Sequence, residues 1–420
     1  SDFKGLEPDM ELDVRLSASQ GGPVNADVRT LYVKSEGMLL DVSGKGYNLL
    51  SDASSADVSA SLAVSLDTLG RFLDDRLGMT MRGSLSAKAE GHLPVRDFDI
   101  YNPGSLDFKA DAAADDVSLV SYDDSLRMFL NRLDLKVALM EDKFHLSNMP
   151  DTKTLGAVVK FDSLFVDMTD KLNAEGKDIS FLAQTSPLEN KINDSTSYHP
   201  LSIMLSLGDI SVEGQDSLSI HLRNSKNMAT VAPSKDDRSV PVVMVRSDNK
   251  YLRAKSGFDR LFLKNLAFDA KARMNKPRGK SLFKHYSDSL YRVHPDWNRD
   301  SLRAHMHARS RRAETPVWMQ EEDFLKSDIS FDFGESFRKY FTLWNVDGTL
   351  SMGMVSVATP AFPLRTSLSG FHGSFNNDAV NLDSLRLRSG ASRLSANGSV
   401  SNLRNTLLRK GVIKARLYLD

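Results

Sequence analysis

The sequence contains no cysteine, so it can build neither a disulfide framework nor a thiolate metal site. A chain without cysteine also tolerates an oxidising compartment. Lys and Arg (54) nearly balance Asp and Glu (55), which argues against a dedicated nucleic-acid binder, because such a domain is strongly basic. No run approaches the roughly 18–20 consecutive apolar residues of a membrane span, and no charged-then-apolar signal segment opens the chain.

Motifs for catalysis and metal binding are missing as well. The imidazoles of His305 and His307 are two residues apart, so on a helix they point away from each other. The aspartates around Asp115 lack the central Gly and terminal Glu of an EF-hand loop. The Ser-x-x-Lys match at Ser281 to Lys284 stands without its companion motifs. We therefore expect no enzyme activity, no cofactor and no metal.

One pattern recurs along the whole chain: short runs in which every second residue is apolar and the others are Ser, Asp, Asn, Lys or Arg. Side chains of a strand alternate between its two faces, so each run predicts a strand with one apolar and one polar face. Such runs occupy 10–18, 58–66, 133–139, 201–207, 218–222 and 266–272. The fold is predicted to be mainly β and antiparallel, with helix confined chiefly to 67–77, 277–327 and 335–343.

Two segments repeat each other in one register. Leu31 to Leu49 aligns with Leu385 to Leu403, so that Ser35 matches Ser389 and Gly44 matches Gly398. A third, shorter copy runs from 85 to 93. Each copy predicts a hairpin, with a turn at Ser-Gly or Glu-Gly, a returning strand, and a glycine that eases a bend or bulge.

The segment from Phe371 to Leu385 carries a recognisable unit. It has a small-residue strand, the turn Asn376-Asn377-Asp378 and an apolar-Asx-Ser-Leu step, and a later strand ends near Ser-Ala-Asn-Gly-Ser-Val. This unit resembles the repeat of the AsmA/TamB superfamily, and residues 318–364 look like the version found in Bacteroidetes-type bacteria. The resemblance is clear over about residues 316–410 and diffuse elsewhere.

The resemblance implies a periplasmic protein of Gram-negative bacteria, anchored in the inner membrane by one N-terminal helix. It implies an elongated, curled antiparallel β-sheet of repeated hairpins, open along one side, with an apolar groove for lipid. The family offers no catalytic residues to carry over. Expected partners are phospholipid or another acyl-chain lipid and outer-membrane assembly proteins, in support of lipid transport to the outer membrane or of its assembly. We expect the chain to be a fragment that lacks the parent's anchor.

These expectations divide the chain into three parts: an N-terminal part of the groove (1–276), a mostly helical basic insertion or cap (277–328), and a C-terminal part of the groove (329–420). The basic residues between Lys271 and Arg312 are interpreted either as a lid that meets anionic head groups or as a cap with a solvated face. The candidate groove residues are Leu31, Val33, Leu40, Val42, Leu62, Val64, Leu135, Val137, Ile203, Leu205, Leu385, Leu387 and Leu394.

Alternating apolar strand faces are far more often the inside of an ordinary sandwich or barrel than a ligand groove. The alternative is therefore a structural or adhesive envelope protein whose sheets close into β-sandwiches. Two observations favour the groove. Aromatic residues make up only 8% of the chain, which suits a smooth wall, and little helical sequence is present to cover the apolar faces. A large apolar patch rarely stays bare, and lipid is a natural cover.

Overall fold

The computed structural model describes residues 8–18, 22–94, 107–123, 125–146, 153–186, 189–193, 196–275, 343–404 and 413–420. The described strands are β1 Asp9–Ala18, β2 Val24–Ser35, β3 Met38–Tyr47, β4 Ser55–Ser65, β5 Met79–Pro94, β6 Asp107–Ser121, β7 Leu126–Glu141, β8 Lys153–Met168, β9 Leu172–Thr185, β10 Asn190–Asn193, β11 Thr196–Tyr198, β12 Leu201–Gly214, β13 Ser219–Pro233, β14 Pro241–Ser256, β15 Asp259–Met274, β16 Trp344–Thr359, β17 Phe362–Asn376, β18 Ala379–Ser389, β19 Ser392–Ser401 and β20 Lys414–Leu419. The helix α1 spans Leu66–Leu77, and a short 3-10 turn spans Gln215–Ser217.

Eighteen of these strands form one antiparallel sheet in which almost every strand pairs with its neighbours in the chain. The exception is β10 and β11, which form a separate small hairpin, so that β9 pairs directly with β12. Strands β1 and β20 are the two edges, and the sheet is not closed into a barrel. The predicted fold class, an elongated curled antiparallel sheet, is confirmed.

Eighteen of the twenty described strands belong to one sheet, and the other two, β10 and β11, form only a small hairpin. The two-sheet sandwich of the alternative interpretation is therefore not the architecture of the described residues. With strands about 4.8 Å apart, an 18-stranded sheet extends roughly 80 Å across its strands.

The two margins of the sheet differ in their connections. One, the turn margin, is crossed by short turns and by α1, at 36–37, 66–78, 122–125, 169–171, 215–218, 257–258, 360–361 and 390–391. The other, the loop margin, carries most of the long connections, at 19–23, 48–54, 95–106, 142–152, 186–200, 234–240, 275–343, 377–378 and 402–413. The basic insertion predicted at 277–328 and the helices predicted at 277–327 and 335–343 fall in the longest of these, whose residues 276–342 lie outside the described part.

The helix α1 begins and ends at residues suited to those positions. Ser65 is its N-cap, and the Ser65 hydroxyl accepts a hydrogen bond from the backbone N–H of Thr68 (3.4 Å). Gly78 follows the last turn with φ 64°, the left-handed conformation common after a helix end. The helix predicted at 67–77 is thus confirmed.

Two of the three predicted hairpins are present. The β2–β3 turn lies at Glu36-Gly37 and the β18–β19 turn at Gly390-Ala391, with φ 82° at Gly37 and 57° at Gly390. The prediction for 85–93 is wrong, because β5 continues without a turn through these residues. Both neighbours, β4 and β6, pair with β5 on either side of Glu90-Gly91, which keeps this dipeptide within the ladder.

A line of irregular residues crosses the middle of the strands. Between β9 and β12 the register passes from Ile179 opposite Leu207 to Lys177 opposite Asp209, and steps over Asp178 and Gly208. The line, here called the crease, continues through Asp116, Asn224, Lys250, Asn265, Gly353 and Gly370. Several members have positive φ, such as Asn224 (49°) and Gly370 (60°), a conformation that Asn, Asp and Gly tolerate best.

The crease accounts for the curl of the sheet. An unpaired extra residue bends its strand, and here neighbouring strands carry one at the same level. The bends therefore add up to a fold line that runs perpendicular to the strands. At the crease the apolar alternation jumps by three residues, as from Leu263 to Leu266 and from Leu207 to Ile210, so both halves of a strand keep their apolar side on the same face.

Candidate functional site

One face of the sheet is apolar from β1 to β20. Residues directly opposite each other on neighbouring strands point to the same face, so the registers trace each face across the sheet. Leu12 lies opposite Leu31, and Val33 lies opposite Leu40, which in turn lies opposite Leu62. We call this the trough face and the other the outer face.

All the candidate groove residues lie on the trough face. They are distributed over β2 (Leu31, Val33), β3 (Leu40, Val42), β4 (Leu62, Val64), β7 (Leu135, Val137), β12 (Ile203, Leu205), β18 (Leu385, Leu387) and β19 (Leu394). Arg386 lies opposite Ser369 and Ser395 on the outer face, and Leu385 and Leu387 lie on the trough face. The candidates are spread along the sheet and do not converge on one pocket.

Among the described strands, charged residues occupy paired positions of the trough face only at ladder ends, as in the Glu141–Lys153 and Ser256–Asp259 pairs. When the first and last residue pairs of each strand pairing are left out, no paired position on this face of the described strands holds a charged residue. Most of its side chains are half-buried by the curl, and some are exposed, including Leu201, Ile203 and Val245. The result is a continuous apolar track, partly open to solvent.

The most enclosed section of the track lies beside α1. Ala114, Val117 and Leu130 are buried there, and Leu66 of α1 packs against them together with trough residues of β6, β7 and β8. Leu66, at the start of α1, therefore covers this part of the trough.

An aromatic section lies toward the other end. The rings of Phe268 on β15 and Phe375 on β17 are stacked across β16, with centroids 6.1 Å apart and planes inclined by 15°. Gly348 stands between them, and a Cβ at this position would lie 2.6 Å from the Phe375 ring. Glycine is thus required for the two rings to meet over β16.

The outer face carries most of the ion pairs of the described strands, together with some apolar side chains such as Phe129 and Phe165. Lys88 pairs with Glu90 (2.9 Å) and Lys177 with Glu175 (2.6 Å), each with side chains about half exposed. The hydrogen bond from Lys88 lowers the pKa of Glu90. Exposed pairs of this kind contribute little stability, so their main effect is to keep this face wetted.

A polar hollow of about 860 Å³ lies among β2 to β6. Its central residue is Asp57, which accepts a hydrogen bond from the Tyr47 hydroxyl (2.9 Å) and lies 2.7 Å from His92 Nδ1. The hydrogen bond with His92, and then that from Tyr47, lowers the pKa of Asp57. Arg29 and Lys45 line the same hollow, so charges of both signs are present and solvated.

The outer face has its own small core at the loop margin. Gln184 and Thr154 are fully buried there, and the Gln184 amide donates to Thr154 Oγ1 (3.2 Å) and to the carbonyl of Glu141 (2.9 Å). Leu146, in the connection after β7, is also fully buried. Loop connections thus cover the outer face here, while the trough face of the adjacent strand β12 stays exposed at Leu201 and Ile203.

Sequence reasoning missed four polar residues on the trough face. Ser225 and Asn227 of β13 lie opposite Asn249 and Ser247 of β14, respectively. On the other side of β13, Leu205 and Leu207 of β12 lie opposite Asn227 and Ser225. A signal was present in the sequence: alternation stops after Leu222 and gives way to polar residues in both strands. Recognising them as trough residues required the register.

Among the described residues, no helix is long and apolar enough to cross a membrane. In the same part of the chain no group of three or more His, Asp or Glu side chains could hold a metal ion. Comparisons of the chain with protein-family models, curated proteins and solved structures found no match.

Proposed function

We propose that the chain binds the tails of phospholipids or other acyl-chain lipids in the trough and lets them slide along it, without enzyme chemistry. The observation that carries the proposal is the continuous apolar face of a curled sheet, on which paired positions of the described strands are charged only at ladder ends. An apolar surface of this extent rarely stays uncovered in a soluble setting.

The energetics suit a lipid tail. Each buried methylene contributes about 0.8 kcal/mol, so an acyl chain is held without any specific polar contact. Because the ligand is held only by the apolar surface that it buries, its binding free energy has no deep minimum at one position, and it is free to move along the trough. The trough, roughly 80 Å long, exceeds the length of a tail that spans half of a hydrocarbon core about 30 Å thick. The trough is therefore long enough to hold several tails one after another.

The setting follows from the resemblance to the AsmA/TamB superfamily. We infer that the chain belongs to a larger inner-membrane-anchored protein of the periplasm, which supports lipid transport to the outer membrane or assembly of that membrane. Outer-membrane assembly proteins are the proposed protein partners. The absence of cysteine is compatible with this compartment.

Site-specific photocrosslinking in cells tests the proposal. A photoreactive amino acid replaces Leu62, on the trough face of β4, and in a matched variant it replaces Ser61, on the outer face of the same strand. We expect lipid to be crosslinked from position 62 and not from position 61, because only position 62 faces the tails. Mass spectrometry of the adduct identifies the lipid. Equal labelling at both positions, or none from 62, contradicts the proposal.

A further inference from the structure

Four neighbouring polar residues of the trough, Ser225, Asn227, Ser247 and Asn249, form a closed ring of hydrogen bonds. The Ser225 hydroxyl donates to Asn249 Oδ1 (2.5 Å), and the Asn249 amide donates to the Ser247 hydroxyl (2.8 Å). Ser247 in turn donates to Asn227 Oδ1 (2.6 Å), and the Asn227 amide donates to the Ser225 hydroxyl (2.9 Å). We call this cluster the polar ring.

The polar ring lies in apolar surroundings. On the trough face it is flanked by Leu205 and Leu207 of β12 and by Leu266 and Phe268 of β15. Ser225 is buried, whereas Asn227, Ser247 and Asn249 are half-buried and so partly accessible from the trough. A ligand that crosses β13 and β14 on the trough face beside the crease passes over the ring.

The ring keeps unused hydrogen-bonding capacity. An asparagine amide has two N–H donors and two acceptor lone pairs, and the ring uses one of each on Asn227 and on Asn249. One N–H and one lone pair therefore remain on each amide. A plain alkyl chain lying over the ring would remove water from these groups and leave them unpaired, which disfavours its binding.

The free N–H groups of Asn227 and Asn249 suit an uncharged hydrogen-bond acceptor on the ligand. The charged residues nearest in register, Lys226 and Asp248, lie opposite each other on the outer face. No charged residue of the trough face accompanies the ring in the described strands, so the site offers an anionic phosphate no counter-charge. A carbonyl oxygen of an ester or amide needs only an N–H donor, which both asparagines retain.

We propose that the polar ring is a carbonyl-binding subsite, in which the free N–H groups of Asn227 and Asn249 donate to the ester or amide carbonyl of an acyl-chain lipid. This inference rests on the proposed lipid-binding function and adds a specificity to it. The tails lie on the apolar sections to either side, and the trough thereby selects acyl-linked over alkyl-linked chains.

Two matched probes test the proposal on the full chain: a dipalmitoyl phosphatidylcholine and its dihexadecyl ether analogue, which differ only in the two carbonyls. An N-palmitoyl sphingomyelin separates amide from ester recognition. We expect the unmodified protein to bind the ester two- to tenfold more tightly than the ether, the range that one neutral hydrogen bond contributes. The double variant Asn227→Leu and Asn249→Leu is expected to bind both equally.

The control exchanges the outer-face pair at the same level of the same strands, Lys226→Leu with Asp248→Leu, and should keep the preference. A preference that survives loss of both asparagines overturns the proposal, as does an unmodified protein that binds ester and ether equally. If the unmodified protein binds neither probe, the proposed lipid-binding function itself is wrong. Infrared spectra of a ¹³C-carbonyl ester bound to the unmodified protein need no variant: a band at the position of an unbonded carbonyl also overturns the subsite.

Discussion

At the scale of single residues, Asp123 shows how side-chain hydrogen bonds fix a turn of this sheet. It lies between β6 and β7, and its Oδ1 accepts a hydrogen bond from the backbone N–H of Ser125 (3.0 Å). Hydrogen bonds from the Ser125 and Ser121 hydroxyls, in that order, lower the pKa of Asp123 to about 2. Because the folded-state pKa lies below the unfolded value near 3.9, the carboxylate stabilises the fold above about pH 4. This stabilisation is lost as the pH falls through about 2.

The first prediction follows from these hydrogen bonds. Ser125→Ala removes the largest cause of the shift, so the pKa of Asp123 should rise toward its ordinary value. Carboxyl ¹³C NMR across a pH titration measures it. The control is Ser61→Ala, on a distant strand, which should leave the titration unchanged. An Asp123 that still titrates near 2 in Ser125→Ala would assign the shift to another cause.

At the scale of elements, the crease has the most direct consequence. Gly370 of β17 has φ 60° and its Cβ position is open, with no atom within 4 Å. Backbone conformation alone should therefore decide which residue is tolerated. Asn224 and Asn265 occupy crease positions of other strands with φ 49° and 50°. Asparagine tolerates this region, whereas a β-branched residue there is strained.

We predict that Gly370→Asn changes the free energy of unfolding by less than about 0.5 kcal/mol, whereas Gly370→Val destabilises the fold by about 1–3 kcal/mol. Chemical denaturation of both variants at one position provides the comparison. Since the space around the Cβ is open, a steric clash cannot account for the difference. Equal stability of the two variants would mean that the crease does not depend on the left-handed backbone.

The strands show what periodicity can and cannot predict. Alternation in 58–66 or 201–207 predicts which side chains share a face, and Leu62 and Leu205 lie on the same face as the apolar residues opposite them. The crease is a single residue per strand, and a jump such as Leu207 to Ile210 is too short to stand out from ordinary irregularity. The polar ring needs the pairing of β13 with β14, which alternation does not specify. The hairpin assigned to 85–93 fails for the same reason: Glu-Gly suits a turn, but pairing on both sides of β5 overrides it.

At the scale of the whole molecule, the two faces of the sheet have separate roles. The outer face carries ion pairs and, at the loop margin, a small covered core, so it meets solvent and supports the fold. The trough face is covered by Leu66 of α1 near the turn margin, and many of its side chains elsewhere are half-buried or exposed. Stability in this sheet therefore comes mainly from neighbouring strands, which leaves the apolar track available for a ligand.

The last prediction uses this separation. Leu205 lies on the trough face between Phe181 and Asn227, and Ser206 lies on the outer face opposite Lys226. Leu205→Glu places a carboxylate against acyl chains, which costs several kcal/mol or makes the group take up a proton, so tails should avoid this section. The fold should survive, because Leu205 is only half-buried and the carboxylate can reach water. Ser206→Glu adds the same charge beside a lysine and should change neither folding nor lipid binding.

Thermal melting, lipid crosslinking, and outer-membrane integrity in cells carrying the full-length variants distinguish the outcomes. A continuous track requires that the Leu205→Glu protein melts like the unmodified protein but loses lipid binding and function. It also requires that the Ser206→Glu protein behaves normally. If Leu205→Glu unfolds, Leu205 belongs to a closed core, since an unpaired buried charge is among the most destabilising single changes. If it folds and functions normally, lipid does not pass over β12. The adjacent positions 205 and 206 thus separate an effect of charge from an effect of the face on which the charge lies.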